Sequence, residues 1–455
     1  MTVIEKVVQK DRCCSCGVCA GICPAACLEM ELQDNGDLAP SFSGQCEPKC
    51  RLCLAVCPFA PGIFDPRANL NRSLVEKYEN NSPKLQHHED VGPYIKSYVG
   101  HAEKHRPSSS SGGMATFTLK QLFERGEITR AAVVESVSDP SRGLLFNFRV
   151  VSSVDELERC AGSVYYPVEI SSVLQTILLD PSTRWAIVGV PCLCAAVRRA
   201  MKSSQIIGQA VQYVFGLACG MYQNSMYTEL LASESGVNWP DVATVRFRVK
   251  SDQDAPGNYG FVAISKSGQL GNVLKYGGLP EFLGRNGYFR LGACNYCMDV
   301  FAECADACFM DAWLPEYAND PKGTSIVLIR DVRVQQLLEE CGRGGSATLQ
   351  LIAIEKVVQS QWGAVRRKRK LIGMRLDNGQ ANILNWARWY VEKKTAKRSK
   401  LAWSNVGRKH GPKAFWSAMA SLVMFQKLLD KIQSSLWLAI RILKWLGVRR
   451  TRKNQ

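Results

Sequence analysis

The sequence predicts a chain of mixed α+β and α/β class in three parts: a cysteine-rich N-terminal block, a core of alternating strands and helices, and a basic helical tail. Three observations predict it. Cysteines crowd residues 11–60 in short, regular spacings. From residue 116 onward, short apolar runs of strand character alternate with segments of helical period, the pattern of an α/β core. Past residue 360 the composition turns basic.

At 455 residues the chain is long enough for two or three domains. Its 46% apolar and 22% charged residues are those of an ordinary soluble protein. In a secreted protein, 19 cysteines would read as disulfides. The opening MTVIEKVVQKDRCCSC carries no apolar signal segment, however, and the spacings suit metal ligation rather than bridging. A reducing, cytoplasmic setting is expected. The net charge of +16 is uneven. Residues 361–455 hold 23 Lys and Arg against 3 Asp and Glu, a net +20, while residues 1–360 hold 34 against 38, a net −4. Any argument about an anionic partner belongs to the C-terminal region alone.

The N-terminal block reads Cys13-x2-Cys16-x2-Cys19-x3-Cys23-Pro24, the run by which bacterial ferredoxins hold iron–sulfur clusters. Three closely spaced thiolates wrap one cubane and the fourth reaches the other cluster of a pair. A second run is therefore required, and Cys46-x3-Cys50-x2-Cys53-x3-Cys57-Pro58 supplies it, its first gap one residue longer than usual. Between the runs, Leu28 to Leu32 alternates, Asp34-Asn35-Gly36 turns, and Leu38 to Phe42 returns, a hairpin suited to a two-cluster ferredoxin fold. By the crossing rule one [4Fe-4S] cluster takes Cys13, Cys16, Cys19 and Cys57, and the other Cys46, Cys50, Cys53 and Cys23. Zinc sites show two C-x2-C pairs rather than such runs. Cys14 and Cys27 are off-pattern and read as non-ligands, with Cys27 packing under a cluster.

The core follows in order. Residues 61–111 are polar and irregular, with Asn80-Asn81-Ser82-Pro83 and Ser108 to Ser111 reading as linker or loop. Thr116 to Gly126 reads as helix and Ala131 to Glu135 as strand. Trp185 to Val190 is a second apolar strand, followed by a helix from Ala195 to Lys202. Tyr213 to Cys219 is strand, Ser225 to Ser233 helix, and Val245 to Val249 and Gly260 to Ser265 are strands. A second cysteine-rich stretch runs from Cys294 to Cys308.

Four features need a common explanation. They are Ser110-Ser111-Gly112-Gly113 before a helix, Gly189-Val190-Pro191-Cys192 and Gly216-Leu217-Ala218-Cys219 at strand ends, and Cys294-x2-Cys297-x-Asp299. Each alone is an ordinary turn or a small buried residue. Together they resemble the family of beta subunits of coenzyme F420-reducing hydrogenases and dehydrogenases, over residues 95–340. The matching stretches are SSGGMATFTLKQLFERGEI, CAGSVYYPV, AIVGVPCLCAAVRR, FGLACG and CNYCMDVFAECADA followed by Asp311-Ala312-Trp313. The resemblance implies a flavin-binding core that holds FAD beside a third [4Fe-4S] cluster on Cys192, Cys219, Cys294 and Cys297. Four buried structural cysteines are the alternative. Cys194, Cys304 and Cys308 are not expected as ligands. The resemblance further implies that Ser111, Gly112 and Gly113, with Ser163 and Tyr165, line the flavin site, the glycine turn letting backbone N–H groups approach a phosphate at a helix N-terminus. Met310 stands where the family usually carries a small residue, so no role is carried over to Asp311. Neither G-x-G-x-x-G nor a P-loop occurs, which argues against a Rossmann NAD site and a P-loop NTPase.

His101 and His105 lie four apart without the H-E-x-x-H pattern, so no metal role is assigned. Arg366-Arg367-Lys368-Arg369-Lys370 reads as an exposed, solvated loop. Phe415 to Val448 reads as a long amphipathic helix, with Leu422, Phe425, Leu429, Ile432, Leu436, Leu443 and Leu446 at 3-4 spacing. Its charges exclude a transmembrane span; it suits a membrane surface, a partner helix or packing on its own core. The expected organisation is a ferredoxin-type domain over residues 1–62, a linker over 63–94, two halves of the core over 95–180 and 181–345, a basic region over 346–410 and the helical tail over 411–455. The expected function is an iron–sulfur flavoprotein oxidoreductase passing electrons between a hydride carrier or organic substrate, F420-type or other, and the clusters, with a redox partner protein or ferredoxin beyond and peripheral contact with the inner membrane face through the tail. The alternatives are an electron-transfer subunit without hydride chemistry and a cluster-bearing nucleic-acid-binding protein. The scattered Trp residues of the tail give the last of these no motif support, and nucleic acid is not an expected partner.

Overall fold

The computed structural model describes residues 2–62, 85–137, 143–251, 257–371 and 383–445. The linker residues Asn80 to Pro83, and Leu446 and Val448 of the tail, lie outside them.

The N-terminal hairpin forms as its alternation predicts. β1 (Leu28–Leu32) pairs antiparallel with β2 (Leu38–Phe42), in register from Leu28 opposite Phe42 to Leu32 opposite Leu38. Leu28 and Met30 point into the core while Glu29 and Glu31 face solvent. Single helical turns, α1 (Val18–Gly21) and α2 (Leu52–Ala55), carry the third cysteine of each run, Cys19 and Cys53.

The core elements are β3 (Lys96–His101), α3 (Met114–Glu124), β4 (Arg130–Ser136), β5 (Phe146–Val151), α4 (Ser171–Leu179), β6 (Trp185–Gly189), α5 (Pro191–Ser203), β7 (Val211–Leu217) and α6 (Ser225–Glu234). After them come β8 (Val242–Val249), β9 (Gly260–Ser265), β10 (Leu274–Lys275), β11 (Ala307–Asp311), β12 (Ser325–Ile329), α7 (Val332–Arg343) and β13 (Thr348–Leu351). One eight-stranded sheet runs β13-β3-β12-β11-β7-β6-β4-β5. Its centre, β11-β7-β6-β4, is parallel, and the flanking pairings are antiparallel. Central strands covered on both faces read as continuous apolar runs such as Trp185-Ala-Ile-Val, and Trp185, Ala186 and Ile187 are fully buried. Pro191 opens α5 at its first turn, where the missing N–H costs nothing, so that helix begins four residues before its apolar pattern does. β8, β9 and β10 form a separate antiparallel sheet.

The N-terminal block is docked on this core. The Ile170 N–H donates to the Cys16 carbonyl at 3.0 Å. Gly17, at φ 74°, sits so close to Glu169 that an added Cβ would meet its Oε2 at 2.5 Å. The hairpin turn is held from the other side: Asn224 Nδ2 donates to the Asn35 carbonyl at 2.8 Å, and Lys400 Nζ reaches both Asp37 oxygens at 2.7 and 2.9 Å.

The tail forms α8 (Ile383–Ala402) and α9 (Arg408–Trp445), the latter kinked at Gly411, φ 79°, before Pro412. Phe415 and Met419 are buried, Trp416 Nε1 donates to Glu234 at 2.6 Å, and Arg408 grips buried Glu229 through two bonds of 2.7 Å. Up to Gln426 the tail therefore packs on its own core. Among the described residues no helix is long and apolar enough to cross a membrane. The expectation of a solvated loop at Arg366 to Lys370 fails. The segment is a π-helical turn; Lys368 is 2% exposed, and Arg369 pairs with fully buried Glu303. Buried acidic and sulfur groups draw these cations inward, which a run of like charges does not reveal.

Candidate functional site

The N-terminal cysteines come near one another. Cys13, Cys19 and Cys57 lie near Cys16, with Cys53 also near Cys19 and Cys57, and burial is the largest cause raising Cys13, Cys19 and Cys57, the last up to about 12. Thiols packed this deeply resist ionising unless a cation compensates, which iron would supply. The Ser15 N–H donates to Cys13 Sγ at 3.4 Å, from a residue held at φ 63°. Cys23, Cys46, Cys50 and Cys53 line a second small cavity. Cys27, read as a packing residue, is buried there with its Sγ 3.5 Å from that of Cys23.

The four core cysteines also converge. Cys192 follows Pro191 at the start of α5, just past β6; Cys219 lies just past β7, its N–H bonded to the Val300 carbonyl at 3.0 Å. Gly189 and Gly216 are opposite each other at the ends of these paired strands. A Cβ on Gly216 would lie 2.2 Å from Ala302 Cβ, so glycine there lets the Cys294–Cys308 stretch close against the strand end. Cys294 Sγ accepts from the Tyr222 N–H at 3.2 Å, and Cys297 Sγ lies 3.4 Å from Lys368 Nζ. The thiols of Cys192, Cys219, Cys294 and Cys297 all act on one another. Among the described residues no three such groups close on a single metal ion. A cubane, whose thiolates bind four different irons, needs a wider cage. Gly216→Ala is expected to cost about 1–3 kcal/mol through overpacking, read as a lower urea midpoint.

A cavity of about 320 Å³ opens beside this set, within the roughly 300–1,000 Å³ of ligand pockets. Ser111, Gly113, Ser163 and Tyr165 line it, as do Cys192 and Cys219. Gly112 instead packs on the sheet, where a Cβ would lie 2.7 Å from Ser325 N and 2.8 Å from the Gly100 carbonyl. Gly113, at φ 78°, caps α3 without a side-chain bond, and the first residues of that helix, Met114 to Thr116, line the cavity. Ser109 Oγ, which also lines it, is buried with no partner among the described residues. Uncapped amides and an orphan hydroxyl are what a bound phosphate or other polar group would satisfy. Beside this loop Arg248 makes two 2.9 Å bonds to Asp311, its Nε donates to the Tyr165 hydroxyl at 3.2 Å, and it reaches the Ser110 carbonyl at 3.5 Å. Burial opposes the Arg248 charge, but Asp311 together with Tyr165 and Tyr259 offsets it.

Cys14, off-pattern by spacing, lies between two sets: it shares a cavity wall with Cys16 and Cys192, and its thiol is the leading cause drawing Cys192 below its ordinary value. Spacing cannot show this, since it depends on how the N-terminal block sits on α5. Sequence reasoning likewise misses Arg248, Ser109 and Lys368, each lying in a segment whose local pattern carries no ligand signal.

A mixed sheet whose parallel strand ends bear a cysteine set beside a ligand-sized cavity is an α/β architecture with its pocket at the strand ends. The chain belongs to the family of coenzyme F420 hydrogenase/dehydrogenase beta subunits: the model of the family's N-terminal part matches residues 97–175 and that of its C-terminal part residues 182–354. It is similar to one of the subunits of the F420H2 dehydrogenase of Methanosarcina mazei, 23% identical over 253 residues, covering 54% of this chain and 64% of that one. It is also similar to a coenzyme F420-dependent sulfite reductase of Methanocaldococcus jannaschii, 23% identical over 403 residues, covering 85% of this chain and 54% of the relative. The chain thus spans less than two thirds of each of these relatives. A solved F420-reducing [NiFe] hydrogenase complex from Methanosarcina barkeri contains a chain matching at TM-score 0.48 and 16% identity, covering 65% of this chain and 96% of that one.

Proposed function

We propose that the chain is an iron–sulfur flavoprotein oxidoreductase passing electrons between a two-electron hydride carrier or organic substrate and [4Fe-4S] clusters, in a reducing cytoplasm. One observation carries the reading. Ser111, Gly113 and Tyr165 share the wall of one cavity with Cys16 of the first cysteine set and Cys192 and Cys219 of the core set. Cys13, Cys16, Cys19 and Cys57 would hold one cluster, Cys23, Cys46, Cys50 and Cys53 a second, and Cys192, Cys219, Cys294 and Cys297 a third. FAD, when bound, supplies the conversion between hydride and single electrons. The chain's part is to bind and orient: the α3 amides and Ser109 Oγ hold a phosphate or other polar group, and the Arg248 side chain, fixed by Asp311 and reaching the Ser110 carbonyl, sets a cationic edge beside them. Val133, Phe148 and Leu157 make part of the lining apolar and exclude water.

Two relatives are named for F420, which makes reduced F420 the first donor to try, with NADPH beside it. Pure protein, denatured, is expected to release FAD. Anaerobic addition of a hydride donor is expected to bleach the flavin band and then the cluster absorbance. Absence of flavin after reconstitution would remove the oxidoreductase reading. Bound flavin reduced by ferredoxin but by no hydride donor would favour electrons entering from ferredoxin to reduce an organic substrate. A second reading, an electron-transfer subunit without hydride chemistry, is favoured by one relative's being named as part of a dehydrogenase of several subunits; complete absence of flavin from protein that still holds clusters would select it.

A further inference from the structure

Lys368 comes from the basic segment beyond the matched family region, yet its ammonium is buried among the core cysteines. It lies 3.4 Å from Cys297 Sγ and donates to the Asp299 carbonyl at 2.7 Å. The Asp299 carboxylate accepts from the Glu303 N–H at 3.1 Å. The neighbouring cation, Arg369, is spoken for by Glu303. An ammonium at 2% exposure needs a negative partner, and the Cys297 sulfur is in contact with it.

We propose that Lys368 is a positioning residue for the core cluster's charge: it holds a fixed positive charge against the Cys297 ligand and raises the reduction potential of that cluster above what its thiolates alone would give. The inference rests on the core cysteines holding a [4Fe-4S] cluster. Reduction adds one negative charge to the cluster, and a cation in a low-dielectric site favours the more negative state.

The test uses the full chain, reconstituted anaerobically, as wild type, Lys368→Met and Lys368→Arg. Iron is counted, and each cluster's midpoint is read by electron paramagnetic resonance at poised potentials. The expected result is a lower core midpoint in Lys368→Met, its return toward wild type in Lys368→Arg, and unmoved N-terminal midpoints. Loss of core iron in Lys368→Met but not in Lys368→Arg would support the same charge role. An unchanged core midpoint in Lys368→Met, or loss of core iron from both variants, would overturn it, the second by showing that shape rather than charge matters. Wild type with about eight irons per chain instead of about twelve would instead show that the underlying cluster assignment is wrong.

Discussion

Cys294→Ser and Cys297→Ser are each expected to lower the iron content of the reconstituted full chain from about twelve to about eight atoms, leaving the N-terminal pair loaded. Serine is nearly isosteric with cysteine but does not ionise at neutral pH, so one iron loses its anchor and the cubane its cage. Both side chains lie in the Cys294–Cys308 stretch that Gly216 admits to the strand end. The full chain is the right object because the N-terminal block is bonded to the core through Cys16, Asn35 and Asp37. Iron retained at the wild-type level in both variants would mean that the four core cysteines are structural. Loss of all iron would mean that the whole chain had failed to fold, which far-ultraviolet circular dichroism distinguishes.

Arg408→Ala is expected to destabilise the chain by about 3 kcal/mol, at the low end of the cost of breaking a buried ion pair. Glu229 is 1% exposed and takes two 2.7 Å bonds from Arg408. Without the guanidinium it keeps only Trp403 Nε1 at 2.9 Å and the Ser225 hydroxyl at 3.3 Å, so the carboxylate is left buried with neutral donors. Arg408 itself is partly exposed, which holds the effect below that of a fully buried pair. The urea midpoint should fall, and Glu229→Gln in the same background should recover part of the loss by removing the stranded charge. A midpoint unchanged in Arg408→Ala would mean that the tail is not part of the cooperative unit.

The elements with strong local patterns were legible. The hairpin of Leu28 to Phe42 has strict alternation and an Asn-Gly turn, and it forms in the register these dictate. Gly260 to Ser265 was legible for its β-branched and aromatic content. The antiparallel flanks of the sheet were not, because β3, β12 and β13 pair across more than two hundred residues and nothing local marks a partner. The same limit governs the site. Cys13 to Cys57 could be grouped from spacing because each set comes from two short runs. Arg248 and Asp311 meet only because two separate sheets face each other, and Lys368 looked solvated because its neighbours Arg366 and Arg367 are cations facing outward.

The hydrogen bonds that fix the N-terminal block to α4, α6 and α8 make that block a seated partner rather than a tethered one. With the proposed clusters bound, exchange between the Cys16 and Cys192 sets, which share one cavity wall with Cys14, would be a first-order event with no encounter step. Its rate should not depend on protein concentration and should survive added salt. Delivery to an outside carrier would be different: in the proposed reading it leaves from the Cys46–Cys53 edge, where the cysteines are only partly covered. That step would be bimolecular, and ionic strength should govern it alone.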